Sequence, residues 1–360
     1  MESLIGIDIF SGAGGLSLGA EMAGIRVKCA IEKDESASMT FKRNHPEAQV
    51  LSGDIRTISS EEVIKITKSP FIIMGGPPCQ GFSLSNTRTR NMDNPNNLLF
   101  SEFVRLVREI NPKWFLFENV RGITNMLGGE VVKHIQSCFE DLGYVVESKV
   151  LKASEYGVPQ NRERFFLVGN RLGFKFEFPE KLDYEISVWD ASSDLPDLEN
   201  GQKIEDGAYK CALLDATPYQ QLMRQNSDRP TQNYVSRNNE LVIKRYSHIK
   251  QGENWENIPD ELMTNYANKF RCHSGIYRRL RANEPSVVIS NYRKSMLKHP
   301  FQNRGLSVRE AARIQSFPDD FVFCGPISHI QQQIGYAVPP LLAKAVFQRI
   351  IECQKEYERR

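Results

Sequence analysis

Residues 75–83, Gly-Gly-Pro-Pro-Cys-Gln-Gly-Phe-Ser, constrain this chain more than any other stretch. Before them, Phe71-Ile72-Ile73-Met74 is a short apolar run of the kind that makes a buried strand. Two glycines break that strand and two prolines stiffen the turn. Cys79 therefore stands at the carboxyl end of a strand, where α/β sheets place their chemistry. A lone cysteine is more often a small buried side chain. A core cysteine needs neither two prolines before it nor a glycine two residues after it, so the pattern favours a reactive thiol.

The segments around this loop alternate strand and helix. Leu4 to Phe10 reads as a buried strand, followed by Ser11-Gly12-Ala13-Gly14-Gly15 and a helix through Met22. Such a turn lets backbone approach a ligand closely. Position 17 is not glycine, so the turn is not GxGxxG and the nicotinamide-dehydrogenase reading weakens. The strand Val27 to Ile31 ends in Glu32, twenty residues after Gly12, the spacing at which nucleoside-binding folds place a carboxylate for ribose hydroxyls. Asp54 follows the next strand, Gln49 to Leu51, and could accept a hydrogen bond from an adenine amino group. Trp114 to Phe117 is a strand ending in Glu118-Asn119-Val120, which puts an acid at the same sheet edge as Cys79. Two further strands, Tyr144 to Leu151 and Arg164 to Val168, flank Gln160-Asn161-Arg162-Glu163-Arg164. Strand alternation would put Arg162 and Arg164 on one face, suited to an anion or a base edge.

Composition changes after Leu172, so a domain boundary is expected there. Residues 199–268 are polar and weakly periodic. From Lys269 to Arg313 there are eleven Lys or Arg and two acids, a charge of +9, leaving −7 on the rest of the chain. Like charge gathered in one segment suggests a polyanion surface. Arg278, Arg279, Arg293 and Lys294 lie there among aromatics and are expected to contact nucleic acid. Ser307 and Glu310 form a capping box for a helix from Arg309 to Ser316. Gly335 to Pro340 reads as a tight turn before a last helix, Leu341 to Cys353. No apolar stretch approaches the roughly 18 residues of a membrane span. Seven cysteines, none spaced as CxxC, argue for reduced thiols and against a metal site, and the N-terminus lacks a signal peptide's pattern, so a cytoplasmic, nucleoid-associated protein is expected.

Taken in order, these segments resemble the DNA cytosine-5 methyltransferases over nearly the whole chain outside roughly 173–270. Asp8 to Gly19, Glu32, Asp54, Pro77-Pro78-Cys79-Gln80, Glu118-Asn119-Val120, Gln160-x-Arg162-x-Arg164, Arg309 to Gln315 and Gly335 to Pro340 carry the likeness. The resemblance implies an α/β fold: a Rossmann-like, S-adenosylmethionine-dependent methyltransferase sheet with a second, smaller target-recognition domain. The expected division is 1–172 catalytic and cofactor-binding, 173–325 target-recognition, and 326–360 returning to the catalytic domain. It implies Cys79 as nucleophile with Glu118, Arg162 and Arg164 around the base. Phe10, Ser11, Gly12, Gly14, Gly15, Glu32, Asp54, Ile55, Pro77 and Leu98 would bind S-adenosylmethionine. Implied partners are double-stranded DNA and a cognate restriction endonuclease, with the chain itself a monomer. Two positions depart from the family. Lys33 stands where an aromatic often stacks on adenine, and Tyr336 where Asn is usual; at Tyr336 a cofactor affinity reduced by about one hydrogen bond is expected. A tRNA cytosine-5 methyltransferase on the same scaffold and a silent DNA-binding protein are the alternatives. The long insert before Tyr277 favours DNA over tRNA, and the presence of Cys79, Glu118 and both arginines disfavours a mere binder.

Overall fold

The computed structural model describes residues 4–78, 97–205, 207–264, 275–290, 292, 294 and 296–359; at Asn97 and Leu98 it describes backbone only. Cys79 and Arg293 lie outside the described residues, as does the Leu98 side chain.

The first half of the chain alternates as its apolar runs dictate. β1 (Ile5–Ile9), α1 (Gly15–Ala23), β2 (Arg26–Glu32), α2 (Glu35–Asn44), β3 (Gln49–Ser52), α3 (Ser60–Thr67) and β4 (Ile72–Gly75) come first. α4 (Asn97–Ile110), β5 (Trp114–Val120), α5 (Glu130–Glu140), β6 (Val145–Lys152) and β7 (Glu163–Asn170) follow. The seven strands form one sheet in the order β3-β2-β1-β4-β5-β7-β6. β3 through β5 are parallel neighbours, while β7 runs antiparallel to both β5 and β6. The fold is thus mixed α/β with a mainly parallel sheet. β1 and β4 are neighbours at the point where strand order reverses, where such sheets open a crevice at their carboxyl ends. Central strands buried on both faces require continuous apolar sequence, as β4 and β5 show. Phe100, Phe103, Phe115, Phe117 and Phe139 fill one face, with Phe115 and Phe139 stacked at 4.0 Å between centroids.

Two compact units emerge. The first comprises residues 1–156, 163–181 and 338–360, and the second 157–162 and 182–337. In the first, α11 (Pro340–Glu358) packs along α1. Gly19 makes this possible, because a Cβ there would lie 2.4 Å from Ala343 Cβ and 2.6 Å from the Pro340 carbonyl oxygen. Trp114 Nε1 donates to Gln354 Oε1 at 2.8 Å and locks the far end of α11 to the sheet. The helix runs five residues beyond the expected Cys353.

The second unit holds short elements: α6 (Val188–Ser192), β8 (Lys203–Ile204), α7 (Pro218–Met223), β9 (Asn233–Tyr234), α8 (Glu240–Ser247), α9 (Val308–Ile314) and α10 (Ile327–Tyr336). The capping box at Ser307 and Glu310 is present. The stretch from Gly335, expected as a turn, begins inside α10; its last two residues are Gly335 and Tyr336. Gly335 packs so closely on Ser290 that a Cβ would meet the Ser290 carbonyl oxygen at 1.6 Å. Any side chain there must displace backbone.

Candidate active site

β4 and β5 pair in parallel with Gly75 beside Phe117, so residues 76–78 leave the sheet next to Glu118. A Cβ on Gly76 would fall 2.6 Å from Glu118 Oε2, so any side chain there would push the carboxylate from its place. Asn119 Nδ2 donates to the Pro77 carbonyl at 2.9 Å and Asn119 Oδ1 accepts from Val120 N–H. The Glu-Asn pair therefore fixes the base of the proline loop that leads into Cys79.

Glu118 owes its ion pair to the reversal of β7. Register sets Arg164 opposite Val120, and Glu118 shares a face with Val120 by the period of two. Arg164 is then the diagonal neighbour of Glu118. Its Nε lies 2.8 Å from Glu118 Oε1 with both side chains buried. Burial pulls the guanidinium below its ordinary range, and the Glu118 charge opposes that pull. The arrangement presents a fixed, water-poor carboxylate beside a loop carrying a thiol.

Arg162 precedes the strand, so the expected alternation with Arg164 does not govern it. Its Nη1 and Nη2 donate to the Ile289 and Gly335 carbonyls of the second unit at 3.0 and 2.7 Å. Gln160 is likewise bonded within that unit, to Ile289 N–H and Gln315. The Gln-x-Arg-x-Arg run thus changes units between Arg162 and Glu163.

At β1 the turn is built as its glycines demand. Gly12 and Gly14 have φ of 54° and 94°, and even Phe10 is left-handed at 61°. Nothing occupies the space a Gly12 side chain would fill. Glu32 faces this turn. Its Oε2 accepts from Gly12 N–H at 2.7 Å, and its Oε1 from Lys33 and Asp34 N–H at 2.8 and 2.7 Å. Burial, more than any neighbour, raises the Glu32 pKa. A carboxylate oriented by three backbone groups, with one lone pair of Oε2 left to accept, suits a sugar hydroxyl beside open backbone. Ser11 Oγ is buried with no partner among the described residues. Asp54 differs from expectation in its surroundings. Arg56 holds it through Nε and Nη2 at 2.9 and 2.5 Å, and Lys33 Nζ lies 3.1 Å away. Lys33, which stands where the family often has an aromatic, is thereby an ion-pair partner of Asp54. Ile55 is buried, and Arg105 Nη2 donates to its carbonyl at 3.3 Å. The Tyr336 side chain is 66% exposed.

The chain matches the family model of C-5 cytosine-specific DNA methylases over residues 4–352. It belongs to that family. Similar proteins include the type II methyltransferase M1.HphI of Haemophilus parahaemolyticus, 36% identical over 97% of this chain and 87% of that protein. Another is M.DdeI of Desulfomicrobium norvegicum, 38% identical over 96% and 88%. Among solved structures, a putative DNA modification methyltransferase from an Escherichia coli prophage superposes with TM-score 0.80, at 28% identity over 98% of this chain and all of that one. The Schizosaccharomyces pombe Dnmt2 methyltransferase shares the fold at TM-score 0.62 and 14% identity, covering 98% and 99%.

In this DNA cytosine-5 methyltransferase the basic stretch is not the surface its charge suggested. Of its eleven cations, Arg279, Lys298, Arg304, Arg309 and Arg313 are buried. Arg279, expected on DNA, turns its guanidinium inward. It donates to the carbonyls of Ile249, Tyr246, His299, Pro300 and Gln302 and to Asn303 Oδ1. Burial drops its pKa to about 10. Arg279 is a loop organiser, because a guanidinium so enclosed cannot reach a phosphate. Arg278 is partly buried and Lys294 exposed. Among the described residues no helix is long and apolar enough to cross a membrane.

One titratable group of this methylase was given no role from the sequence beyond opening the Asp8 to Gly19 segment. Asp8, in β1, is fully buried; Oδ2 accepts from Ser17 Oγ at 2.6 Å and Oδ1 has no partner among the described residues. Burial lifts its pKa to about 8. The unfolded chain ionises Asp near pH 4. Between those values the folded protein keeps a proton the unfolded chain has lost, so stability falls as pH rises. Asp8→Asn, neutral throughout, is expected to flatten that slope. Denaturant melts at pH 5 and pH 8 check it, and parallel pH curves for the two proteins would refute the assignment.

Proposed function

We propose that this chain transfers a methyl group from S-adenosylmethionine to C5 of a cytosine within a specific duplex DNA sequence. The observation that carries the reading is the buried Glu118–Arg164 pair set against Gly76 at the root of the Cys79 loop. Cytosine C5 is a poor nucleophile. Addition of the Cys79 thiolate at C6 makes an enamine whose C5 is nucleophilic. With the base bound, Glu118 carries a proton that it donates to N3 while its other oxygen accepts from the 4-amino group, which offsets the negative charge that thiolate addition puts on the ring. Arg164 keeps Glu118 in place, and Arg162 holds the Ile289 and Gly335 carbonyls. Glu32 would hold the ribose of the cofactor, the backbone of the Phe10–Gly15 turn would line its site, and Asp54, Ile55, Pro77 and Leu98 would complete it. Bound S-adenosylmethionine would supply the electrophilic methyl group; loss of the C5 proton to water and cleavage of the Cys79–C6 bond then restore the aromatic ring and free the thiolate. A stacked base cannot reach a buried carboxylate, so the target cytosine is flipped out of the duplex. The residues of the second unit read the sequence, with Arg278, Arg293 and Lys294 as cations toward DNA. The type II relatives support a modification role; a restriction endonuclease of matching specificity as functional partner, and a monomer acting in the cytoplasm, are part of the same proposal.

Glu118→Gln keeps shape and removes the charge. It is expected to cut methyl transfer to duplex DNA by about 10²–10⁴-fold while cofactor affinity stays unchanged. Transfer of labelled methyl to duplex DNA and to tRNA, side by side, is the measurement. Wild-type transfer to tRNA alone would overturn the substrate, and a fully active Glu118→Gln protein would overturn the role of the acid.

A further inference from the structure

With five cations of the basic stretch buried, the free positive charge of the second unit must be sought elsewhere. An open cleft of about 660 Å³ runs beside α8, lined by Arg237, Asn239, Lys244 and Asn303 among others. Arg237 and Lys244 are exposed, and neither has an ion-pair partner among the described residues. Glu240, the one acid on the rim, makes no ion pair with either.

The amides in the cleft are what give it a sign. Asn239 Oδ1 caps α8 by accepting from Val242 N–H at 2.9 Å. Asn303 Oδ1 accepts from the buried Arg279 Nη2 at 2.7 Å. Asn200 spends both ends of its amide on the backbone of Asn238. The acceptor oxygens are thus consumed within the protein. The Nδ2 donors of Asn239 and Asn303, the guanidinium and the ammonium remain. A concave site in which two cations and two amide donors outnumber the one carboxylate, Glu240, suits an acceptor-rich anion, and neutral amides beside cations are the side chains that commonly hold phosphodiester oxygens.

We propose that this cleft grips the phosphate backbone of duplex DNA through Arg237 and Lys244, with Asn239 and Asn303 donating alongside. The inference rests on the DNA reading given above. Arg279 then serves DNA binding indirectly, by orienting Asn303.

The test is DNA binding by the full-length protein over a salt series, with Arg237→Ala, Lys244→Ala and the double variant. Each lost phosphate contact flattens the slope of log affinity against log salt by about 0.9, so the double variant is expected to lose about 1.8. Target and non-target duplexes are expected to lose affinity alike, and Glu240→Gln to bind more tightly than wild type. Cofactor affinity measured by calorimetry is expected to stay unchanged. An unaltered slope in the double variant would overturn the proposal, as would a loss confined to the target sequence, which marks base reading. Preferential competition by tRNA would overturn it as a DNA site. A wild-type protein that methylates DNA but keeps its affinity in all three variants refutes this cleft alone, whereas one that binds no duplex DNA refutes the substrate as well.

Discussion

Cys79→Ser is expected to abolish transfer of labelled methyl to duplex DNA while leaving DNA affinity within a few-fold of wild type. The reaction requires attack on C6 by a nucleophile present as its anion. A thiol near its usual pKa of about 8.5 supplies a workable thiolate fraction at neutral pH, and a hydroxyl does not. The loop leading into residue 79 is fixed independently of the sulfur. Asn119 holds the Pro77 carbonyl, and Gly76 lies against Glu118. Replacing sulfur by oxygen therefore removes reactivity without removing the site. Duplex DNA with 5-fluorocytosine at the target separates chemistry from binding, since fluorine at C5 blocks release of the enzyme. Wild type is expected to form a covalent complex that survives denaturing electrophoresis, and the Ser variant none. Activity of the variant within tenfold of wild type would end the nucleophile assignment.

Most candidate site residues of the first unit were legible because they stand at or just past the end of a strand. Apolar runs followed by glycine, proline or an acid are local signals, and β1, β2, β4 and β5 all carry them. The direction of β7 was not read, although a signal existed. Ten residues separate β6 from β7, too few for a parallel crossover with its helix. That reversal is what brings Arg164 to Glu118. Likewise Ile327, Ile330 and Ile334 carry helical spacing that marks α10, overlooked beside the Gly-Pro punctuation after it. The second unit was opaque for a different reason. Charge in a sequence does not state whether it faces water, and some of the acids that neutralise this unit's arginines lie far away along the chain. Asp194, 119 residues before Arg313, is one such partner.

That buried network predicts the largest change in stability. Arg313, fully buried in α9, donates from Nη1 to Asp194 Oδ1 at 2.5 Å and from Nε and Nη2 to Asp319 at 2.9 and 2.6 Å. Its Nη1 also reaches the Ala191 carbonyl, so one guanidinium ties α6, α9 and the Asp319 turn together. Tyr209 and Arg224 complete the cluster, through Asp319 and Asp194 respectively. Arg313→Met keeps most of the volume but leaves two carboxylates buried near each other without their common partner. Breaking a buried pair from one side costs about 3–5 kcal/mol. Asp319→Asn is expected to cost less, because Arg313 retains Asp194. Denaturant melts followed by Trp189 and Trp255, both in the second unit, check the order of the two variants. The pH dependence gives an independent reading. The arginines hold the Asp319 pKa below its usual range against the pull of burial. Its contribution is therefore present above the unfolded pKa of about 4 and is lost as pH falls through the lower folded value. The gap between wild type and Arg313→Met is expected to narrow in acid. A gap that stays constant from pH 7 down to acid denaturation would show that the cost came from packing, and that the ion pairs do not hold this unit together.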